Sequence, residues 1–415
     1  MTNEFNQYFS QVGENLASKL PPVSSIHDFK KFLPPSVSNS FVCDSISYTE
    51  IQNTIKNLKS KNSSGSDMLN AKLIQEFCQY FIGPLHYIFN LSIESGVFPS
   101  LLKIAKILPI YKKGDHSSVC NYRPISLLNT FGKILESIVS SRLNNYLTKY
   151  DIFYKYQFGF RHKYSTKLAL LDSVDDIFDS LDKKQYVAAI FFDLSKAFDS
   201  LDRDILLHKL YNYGIRGPMH SWLKSYLSNR SQYVILNNAQ STMLSVDYGV
   251  PQGSVLGPLL FLIYINDIGN IPNLPAYPKI FADDTNIFIN ASNLIKLNRD
   301  CQDAIDRISD WMLANRLTVN YEKTNYMIFS PNKQLKDSSV LELTIDNFKI
   351  KKVTSIKYLG IYIDENLNWK THIQDLCQSL RKYVGIFYKL SLKLPQKNIK
   401  NTIFHIGVFP HTLCS

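Results

Sequence analysis

Several features that define common protein classes are missing from this chain of 415 residues. None of its 6 cysteines belongs to a Cys-x-x-C pair, so neither a zinc site nor a disulfide framework is indicated. No apolar run approaches the roughly 20 residues of a membrane helix. The first residues lack the basic-then-apolar order of a secretory signal, and no internal repeat is evident. These absences favour a reducing, intracellular compartment and no membrane partner.

Positive charge and aromatic side chains are abundant. The 46 Lys and Arg residues exceed the 35 Asp and Glu residues, which gives a formal net charge of +11. The 25 Tyr and 25 Phe residues supply rings on which bases can stack where a basic groove holds the backbone. With 45% hydrophobic residues the chain is expected to form two or three packed subdomains, and nucleic acid is the first candidate partner.

The hydrophobic pattern predicts an α+β fold whose strands cluster between residues 186 and 363. A continuous apolar run over 186–192 indicates a buried strand. The pattern also predicts strands over 277–281, 286–291, 325–330, 340–350 and 355–363, helices over 204–213, 255–268 and 293–315, and a hairpin turn at Asn237–Asn238. Asp67 is expected to cap the helix that follows it, and Asp199, Asp202 and Asp204 are expected to cap and solvate a helix start.

Three aspartates are the strongest candidates for chemistry. Asp193 ends the predicted buried strand, and the Asp283–Asp284 pair lies at the tip of a predicted hairpin. Carboxylates at strand ends in one sheet form a hard-oxygen site for Mg²⁺. Two such ions activate an attacking hydroxyl and stabilise the leaving oxygen in phosphoryl transfer. The alternative is that the pair only satisfies a turn, whereas the second dipeptide, Asp175–Asp176, is interpreted as plain helix surface.

These segments resemble the ordered motifs of a reverse transcriptase, specifically of the non-LTR (LINE-type, jockey-like) retrotransposons. The similarity runs from about residue 50 to 390 in the order of that family. The matching segments are Asn121–Leu128, Gln157–Arg161 with Ser165–Thr166, Phe192–Asp199, Gly249–Pro258, Phe281–Asp284, Asn320 with Lys323–Thr324, and Tyr358–Ile361. Single motifs are weak signals, but seven in register are a strong one.

The resemblance implies a right-hand polymerase with fingers, palm and partial thumb, whose antiparallel palm sheet carries the catalytic carboxylates. The implied activity is RNA-directed DNA synthesis, in which a dNTP is transferred to a primer 3′-hydroxyl with two Mg²⁺ ions, or Mn²⁺ in vitro. The implied partners are an RNA template, a DNA primer and dNTPs. The implied location is nuclear or cytoplasmic.

The resemblance also implies roles for individual residues. Asp193, Asp283 and Asp284 would hold the metals, assisted by the Leu194 backbone carbonyl. The residues expected to contact substrate are Arg161 and Arg123 at the triphosphate, Phe198 as a steric gate under the sugar, Gln252 and Gly253 beside the nucleotide, and Lys323 as a proton donor to pyrophosphate. Three of these residues have a simpler alternative: Phe198 is a core aromatic, Arg123 ties down the fingers, and Lys323 is a solvated cation.

The expected subdomains are an N-terminal extension (1–59), fingers (60–185), palm (186–363, with 215–248 as an insertion) and a partial, truncated thumb (364–415). No segment resembles an endonuclease or an RNase H domain. The alternative function is therefore a non-catalytic nucleic-acid-binding remnant of such a polymerase, which would bind in a salt-dependent way without incorporating dNTP. A maturase-like or telomerase-like enzyme is disfavoured because no matching accessory domain is recognised.

Overall fold

A computed structural model describes residues 1–20, 28–60, 62–331 and 341–392 of the chain. The end of the expected thumb lies outside these residues, from position 393 onward, and so does the last part of the basic stretch over Lys382–Lys400. The chain divides into two compact units. Unit 1 comprises Met1–Lys155, Leu194–Ile271 and Asp310–Thr318, and unit 2 comprises Tyr156–Asp193, Pro272–Ser309 and Val319–Ser415.

The described residues contain twelve α-helices and fourteen strands. The helices are α1 (Thr2–Ala17), α2 (Tyr48–Lys56), α3 (Ala71–Glu76), α4 (Cys78–Ser95), α5 (Thr130–Lys149), α6 (Thr166–Asp182), α7 (Ala197–Ser200), α8 (Arg203–Asn212), α9 (Gly217–Leu227), α10 (Leu256–Ile265), α11 (Leu294–Ala314) and α12 (Lys370–Ser391). The strands are β1 (Ile104–Tyr111), β2 (Tyr122–Leu128), β3 (Tyr186–Phe192), β4 (Arg230–Leu236), β5 (Ala239–Gln240), β6 (Leu244–Val246), β7 (Lys279–Phe281), β8 (Asp284–Ala291), β9 (Asn325–Phe329), β10 (Thr344–Ile345), β11 (Phe348–Lys349), β12 (Lys351–Lys352), β13 (Ser355–Tyr358) and β14 (Ile361–Asp364). None of the described helices combines the length and apolar character needed to cross a bilayer.

Unit 1 is built on a mixed sheet with strand order β2-β1-β4-β5, and β6 also pairs with β4. β1 runs antiparallel to β2 and parallel to β4. Helix α1 packs on this sheet, and one apolar cluster joins the two. Its buried members are Phe5, Phe9, Ala105, Ile107, Leu128 and Val234. The alternation of apolar side chains along β1 therefore buries one face of that strand beneath α1.

Polar side chains fix the position of α1 on unit 1. Asn6 Nδ2 donates to the Thr242 carbonyl at 2.8 Å, and Asn6 Oδ1 accepts from Gln232 Nε2 at 3.1 Å. Asn3 Oδ1 accepts from the Thr242 amide at 2.9 Å. Asn6 and Gln232 are both buried, so each satisfies a polar group that would otherwise be left without a partner. Helix α1 is thus an integral part of unit 1.

Unit 2 is built on a sheet with strand order β12-β9-β3-β8-β7. The central strand β3 pairs antiparallel with both β8 and β9. Because β3 is covered on both faces, it carries a continuous apolar run instead of an alternating pattern. Its side chains join a cluster with the inward face of α6 and with the β13–β14 hairpin. The buried members are Ile177, Val187, Ala189, Phe191, Phe288, Met327, Phe329, Tyr358 and Ile363.

The mixed helix-and-strand fold is confirmed, as is the buried strand over 186–192. The predicted hairpin at Asn237–Asn238 joins β4 to β5, and both asparagines have positive φ angles. Three expectations are wrong. The predicted strand over 340–350 contains two short strands, β10 and β11, joined by a turn, and 355–363 forms the β13–β14 hairpin. Asp67 does not cap α3, because Asn70 accepts from the Leu73 amide instead.

Candidate active site

The Asp283–Asp284 pair lies where β7 turns into β8. Phe281 pairs with Asp284, so Ala282 and Asp283 form a two-residue turn. Ala282 has a φ of +57°, an arrangement of type II′ turns that normally selects glycine. Asp284 therefore belongs to the strand, two residues earlier than the predicted strand start.

The register of β3 against β8 brings Asp193 to the same end of the sheet. Phe192 pairs with Thr285, so Asp193 and Asp284 occupy the next opposed position at the end of the ladder. Burial first, and then the charges of Asp283 and Asp193, raise the pKa of Asp284 to about 6. Asp284 is therefore close enough to the other two aspartates to be affected by their charges, and a cation at this position would favour its ionised form. Among the described residues, no group of three Asp, Glu, His or Cys side chains is arranged so that it could hold a metal ion.

The segment after α11 supports Asp193. The Asn320 amide donates to the Asp193 carbonyl at 2.8 Å, and the Asp193 amide donates to Thr324 Oγ1 at 3.4 Å. Lys323 Nζ lies 3.3 Å from Asp193 Oδ2 in a largely exposed ion pair. The predicted motif at Asn320 and Lys323–Thr324 is thus joined directly to the first aspartate. The exposed lysine contributes little to stability but remains available beside the carboxylate.

Arg161 lies in unit 2 on the segment that precedes α6. Its Nη1 donates to the Gln157 carbonyl at 3.2 Å, and its guanidinium lies 4.1 Å from the ring centroid of Tyr164. Ser165 Oγ accepts from the Leu168 amide and caps α6. These contacts hold the arginine against its own loop, while its charge stays fixed at any physiological pH.

In unit 1, Gln252 binds Asp199. Gln252 Nε2 donates to both Asp199 carboxylate oxygens, at 2.8 and 2.7 Å. Burial raises the pKa of Asp199 to about 6, although Gln252, Lys196 and Arg123 all lower it. Of the aspartates expected at a helix start, Asp202 caps α8 and Asp204 is exposed in its first turn, so the expectation is wrong for Asp199 alone. Asp199 turns inward because two backbone hydrogen bonds join residues 249–250 to 198–201.

The other predicted substrate residues of unit 1 lie on the same group of loops. The Phe198 ring stacks on Phe261 with centroids 4.5 Å apart and remains partly exposed. Gly253 has a φ of +109°, and a Cβ there would approach the Ser126 carbonyl oxygen to 2.8 Å. Arg123 is exposed on β2 and is close enough to Asp199 to influence its charge. Leu194 is 7% exposed and follows Asp193 in the chain.

Two residues that the sequence did not single out position the loop of Gln252. The Arg203 guanidinium donates to the carbonyls of Val246, Tyr248 and Gly249, at 2.8, 2.9 and 3.0 Å. The buried Glu136 accepts from the Val255 amide at 2.7 Å and the Leu256 amide at 3.1 Å, where α10 begins. A carboxylate favours a helix N-terminus because the free amides there carry partial positive charge. An acid within the apolar stretch 134–139 is the signal that could have revealed Glu136.

A third unexpected contact corrects the reading of Asp175–Asp176 as plain surface. The side chain of Lys279 on β7 is almost fully buried, and its Nζ lies 2.5 Å from Asp176 Oδ2 and 2.6 Å from Asp172 Oδ2. A buried ammonium needs such partners, since its solvation by water is lost. Asp176 therefore neutralises a strand residue of the sheet that carries the three carboxylates.

A comparison with family models identifies the class of protein to which this chain belongs. Residues 110–363 match the family model described as reverse transcriptase (RNA-dependent DNA polymerase). Because this match covers more than half of the chain, the chain belongs to the reverse transcriptase family.

Among curated proteins, the chain is similar to polymerases of mobile elements. It is 28% identical over 374 residues to the RNA-directed DNA polymerase from mobile element jockey of Drosophila melanogaster, covering 88% of this chain and 40% of that protein. It is 32% identical over 333 residues to the probable RNA-directed DNA polymerase from transposon BS of the same species, covering 78% and 36%. For the probable RNA-directed DNA polymerase from transposon X-element, identity is 29% with 85% and 39% covered. The chain thus spans about two fifths of the length of these relatives, and the resemblance to jockey-like reverse transcriptases is confirmed.

Proposed function

We propose that the chain is the RNA-directed DNA polymerase portion of a non-LTR retrotransposon protein, which joins dNTPs to a primer 3′-hydroxyl along an RNA template. The observation that carries this proposal is the position of Asp193 and Asp284 opposite each other at one end of the β3–β8 ladder, with Asp283 in the adjoining turn. Membership of the reverse transcriptase family supports the same reaction. The β12-β9-β3-β8-β7 sheet is then the palm of a right-hand polymerase, with the subdomain boundaries inferred from sequence.

The three carboxylates suit two divalent ions, Mg²⁺ or in vitro Mn²⁺. Their oxygen donors match the preference of hard cations, and the pKa of Asp284, raised first by burial and then by the charges of Asp283 and Asp193, indicates that nearby positive charge would favour its ionised form. Bound ions would lower the pKa of the attacking hydroxyl and neutralise charge on the leaving pyrophosphate. Asp193 and Asp284 would hold them from opposed strands and Asp283 from the turn, with the Leu194 carbonyl as a further oxygen.

Cationic and aromatic side chains take the remaining roles. Arg161 binds triphosphate oxygens, since its planar fork donates two parallel hydrogen bonds and keeps its charge. Lys323 holds a proton for the leaving pyrophosphate, a role supported by its exposure beside Asp193. Arg123 binds phosphate, Phe198 excludes a ribose 2′-hydroxyl, and Gln252 contacts the nucleotide from a loop in which Gly253 allows a close backbone approach.

Primer extension tests this function directly. The purified chain is incubated with poly(rA)/oligo(dT), labelled dTTP and Mg²⁺, beside the Asp283→Asn/Asp284→Asn double variant. A matched control, Asp175→Asn/Asp182→Asn, removes the same charge from exposed positions of α6. We expect extension by the wild type and the control, and none by the double variant. Salt-dependent binding of the primer–template without extension by any folded chain would instead identify a non-catalytic binding remnant.

A further inference from the structure

The segment that carries Gln157 and Gly159 lies beside strand β7 in unit 2. The Phe158 amide donates to the Ile280 carbonyl at 2.7 Å, and the Ile280 amide donates to the Tyr156 carbonyl at 2.9 Å. Gln157 and Ile280 form an isolated parallel bridge. A motif that the sequence links to substrate binding is therefore bonded to the strand that leads into the Asp283–Asp284 turn.

The Gln157 side chain reaches the turn itself. It is 2% exposed, and its Oε1 accepts from the Gly159 amide at 2.7 Å and from the Ala282 amide at 3.3 Å. Among the described residues, Gln157 Nε2 has no hydrogen-bond partner, so this side chain acts only as an acceptor. Ala282 has a positive φ angle that alanine disfavours. The bond from its amide thus stabilises a turn conformation that the residue itself opposes.

Gly159 allows the two backbones to approach this closely. A Cβ at position 159 would lie 2.3 Å from the Ala282 nitrogen, a contact that atoms do not tolerate. The Gln157 side chain thus accepts a hydrogen bond from the Ala282 amide, and the lack of a side chain at Gly159 leaves room for that same amide. These two contacts fix the position of Ala282, the first residue of the turn, directly before Asp283 and Asp284.

We propose that Gln157 is a positioning residue for the polymerase reaction, which holds the Ala282–Asp283 turn so that Asp283 and Asp284 keep the geometry needed for metal binding. This inference rests on the function proposed above. Gln157 acts through the turn and touches neither metal nor substrate. Since its carbonyl also accepts from Arg161 Nη1, Gln157 links the triphosphate-binding arginine to the same turn.

Amide hydrogen exchange tests the link without metal or activity. In the metal-free Gln157→Met variant, which keeps the size of the side chain but removes its acceptor, the Ala282 amide is expected to exchange at least about tenfold faster. The Gln157→Glu variant keeps an acceptor oxygen and is expected to restore protection. Gln232→Met is the matched control, because it alters a buried glutamine of unit 1 whose bonds lie far from the turn in sequence.

Metal binding and turnover are measured on the same proteins. For Gln157→Met we expect weaker Mn²⁺ binding by titration, and a kcat lower by about 100-fold with a much smaller change in the KM for dTTP. Unchanged Ala282 exchange and unchanged Mn²⁺ binding would overturn the proposal, as would failure of Gln157→Glu to restore protection. If Gln157→Met does not fold, Gly159→Ala is measured instead, since its added methyl group pushes against the same amide.

The two proposals fail differently. If the wild type does not extend a primer, the polymerase function is refuted, yet the exchange and Mn²⁺ measurements still decide whether Gln157 positions the carboxylates. If the wild type extends primers and Gln157→Met matches it in kcat, exchange and Mn²⁺ binding, only the role of Gln157 is refuted.

Discussion

Replacing Asp199 with asparagine is expected to make the protein more stable, and increasingly so as the pH rises. The pKa of this carboxyl is raised from 3.8 to about 6, chiefly by burial. The native state therefore holds the proton more tightly than the unfolded chain does. The stabilisation that this tighter proton binding gives the native state is complete below about pH 4 and is lost as the pH rises through about 6. Asparagine removes the buried charge but keeps an oxygen that can accept from Gln252 Nε2.

The size of the effect follows from the shift. At roughly 1.4 kcal/mol per pH unit, a shift from 3.8 to about 6 corresponds to about 3 kcal/mol of lost stability when the carboxyl is fully ionised at pH 8. At pH 5 the native carboxyl is mostly protonated, and the free energy of unfolding is lower by only about 1.6 kcal/mol than with the carboxyl protonated in both states. The stability gained by Asp199→Asn is thus expected to grow by about 1.4 kcal/mol between these two pH values.

Urea unfolding of the wild type and of Asp199→Asn at pH 5 and pH 8, followed by tryptophan fluorescence, measures this difference. Only the change with pH is compared, because any loss of hydrogen bonding in the variant is the same at both pH values. Asp204→Asn, at an exposed position of α8, serves as the control and is expected to show no such change. A stability difference that stays constant or shrinks from pH 5 to pH 8 would refute the argument that Asp199 is buried with a raised pKa.

Three further substitutions test the packing of unit 1. Lys209→Met leaves the fully buried Asp267 without the ammonium that lies 2.8 Å away. We expect the free energy of unfolding, measured by urea titration, to fall by about 3–5 kcal/mol. The loss should be smaller in the double variant that also carries Asp267→Leu, since no buried charge is then left without a partner. Arg203→Lys cannot reach all three loop carbonyls, so the amides of that loop should exchange faster with solvent by about tenfold, and unchanged exchange would contradict this. Trp222→Phe loses the indole bond to Ser92 Oγ and leaves a small cavity, for which we expect about 1–3 kcal/mol less stability by thermal unfolding.

Local patterns predicted the elements that hold the candidate site. The apolar run over 186–192, bounded by polar residues, indicated a buried strand, and Asn237–Asn238 could readily adopt the positive φ angles of a tight hairpin turn. The three aspartates were candidates because they lie at the ends of apolar segments, and the resemblance of the ordered motifs then gave them a metal-binding role. In these cases the deciding interactions lie within a few residues of one another.

Contacts between distant segments could not be predicted in this way. The bond between Gln252 and Asp199 spans 53 residues, and that between Lys279 and Asp172 spans 107. Whether an aspartate faces solvent or a distant amide depends on how loops pack, which no local periodicity encodes. Asp199 and Asp176 were misjudged for this reason, and the contact of Gln157 with the carboxylate turn was missed.

The docking of helix α1 has a consequence for the order in which unit 1 can fold. Asn6 binds Gln232, which lies 226 residues further along the chain. At a synthesis rate of roughly 5–20 residues per second, the helix emerges from the ribosome about 11–45 s before its partner strand. During that interval Phe5 and Phe9 have nothing of β4 to pack against. Until β4 is synthesised, the apolar side of α1 can therefore pack only against Ala105, Ile107 and Leu128 of β1 and β2, so the cluster that joins α1 to the sheet is completed late.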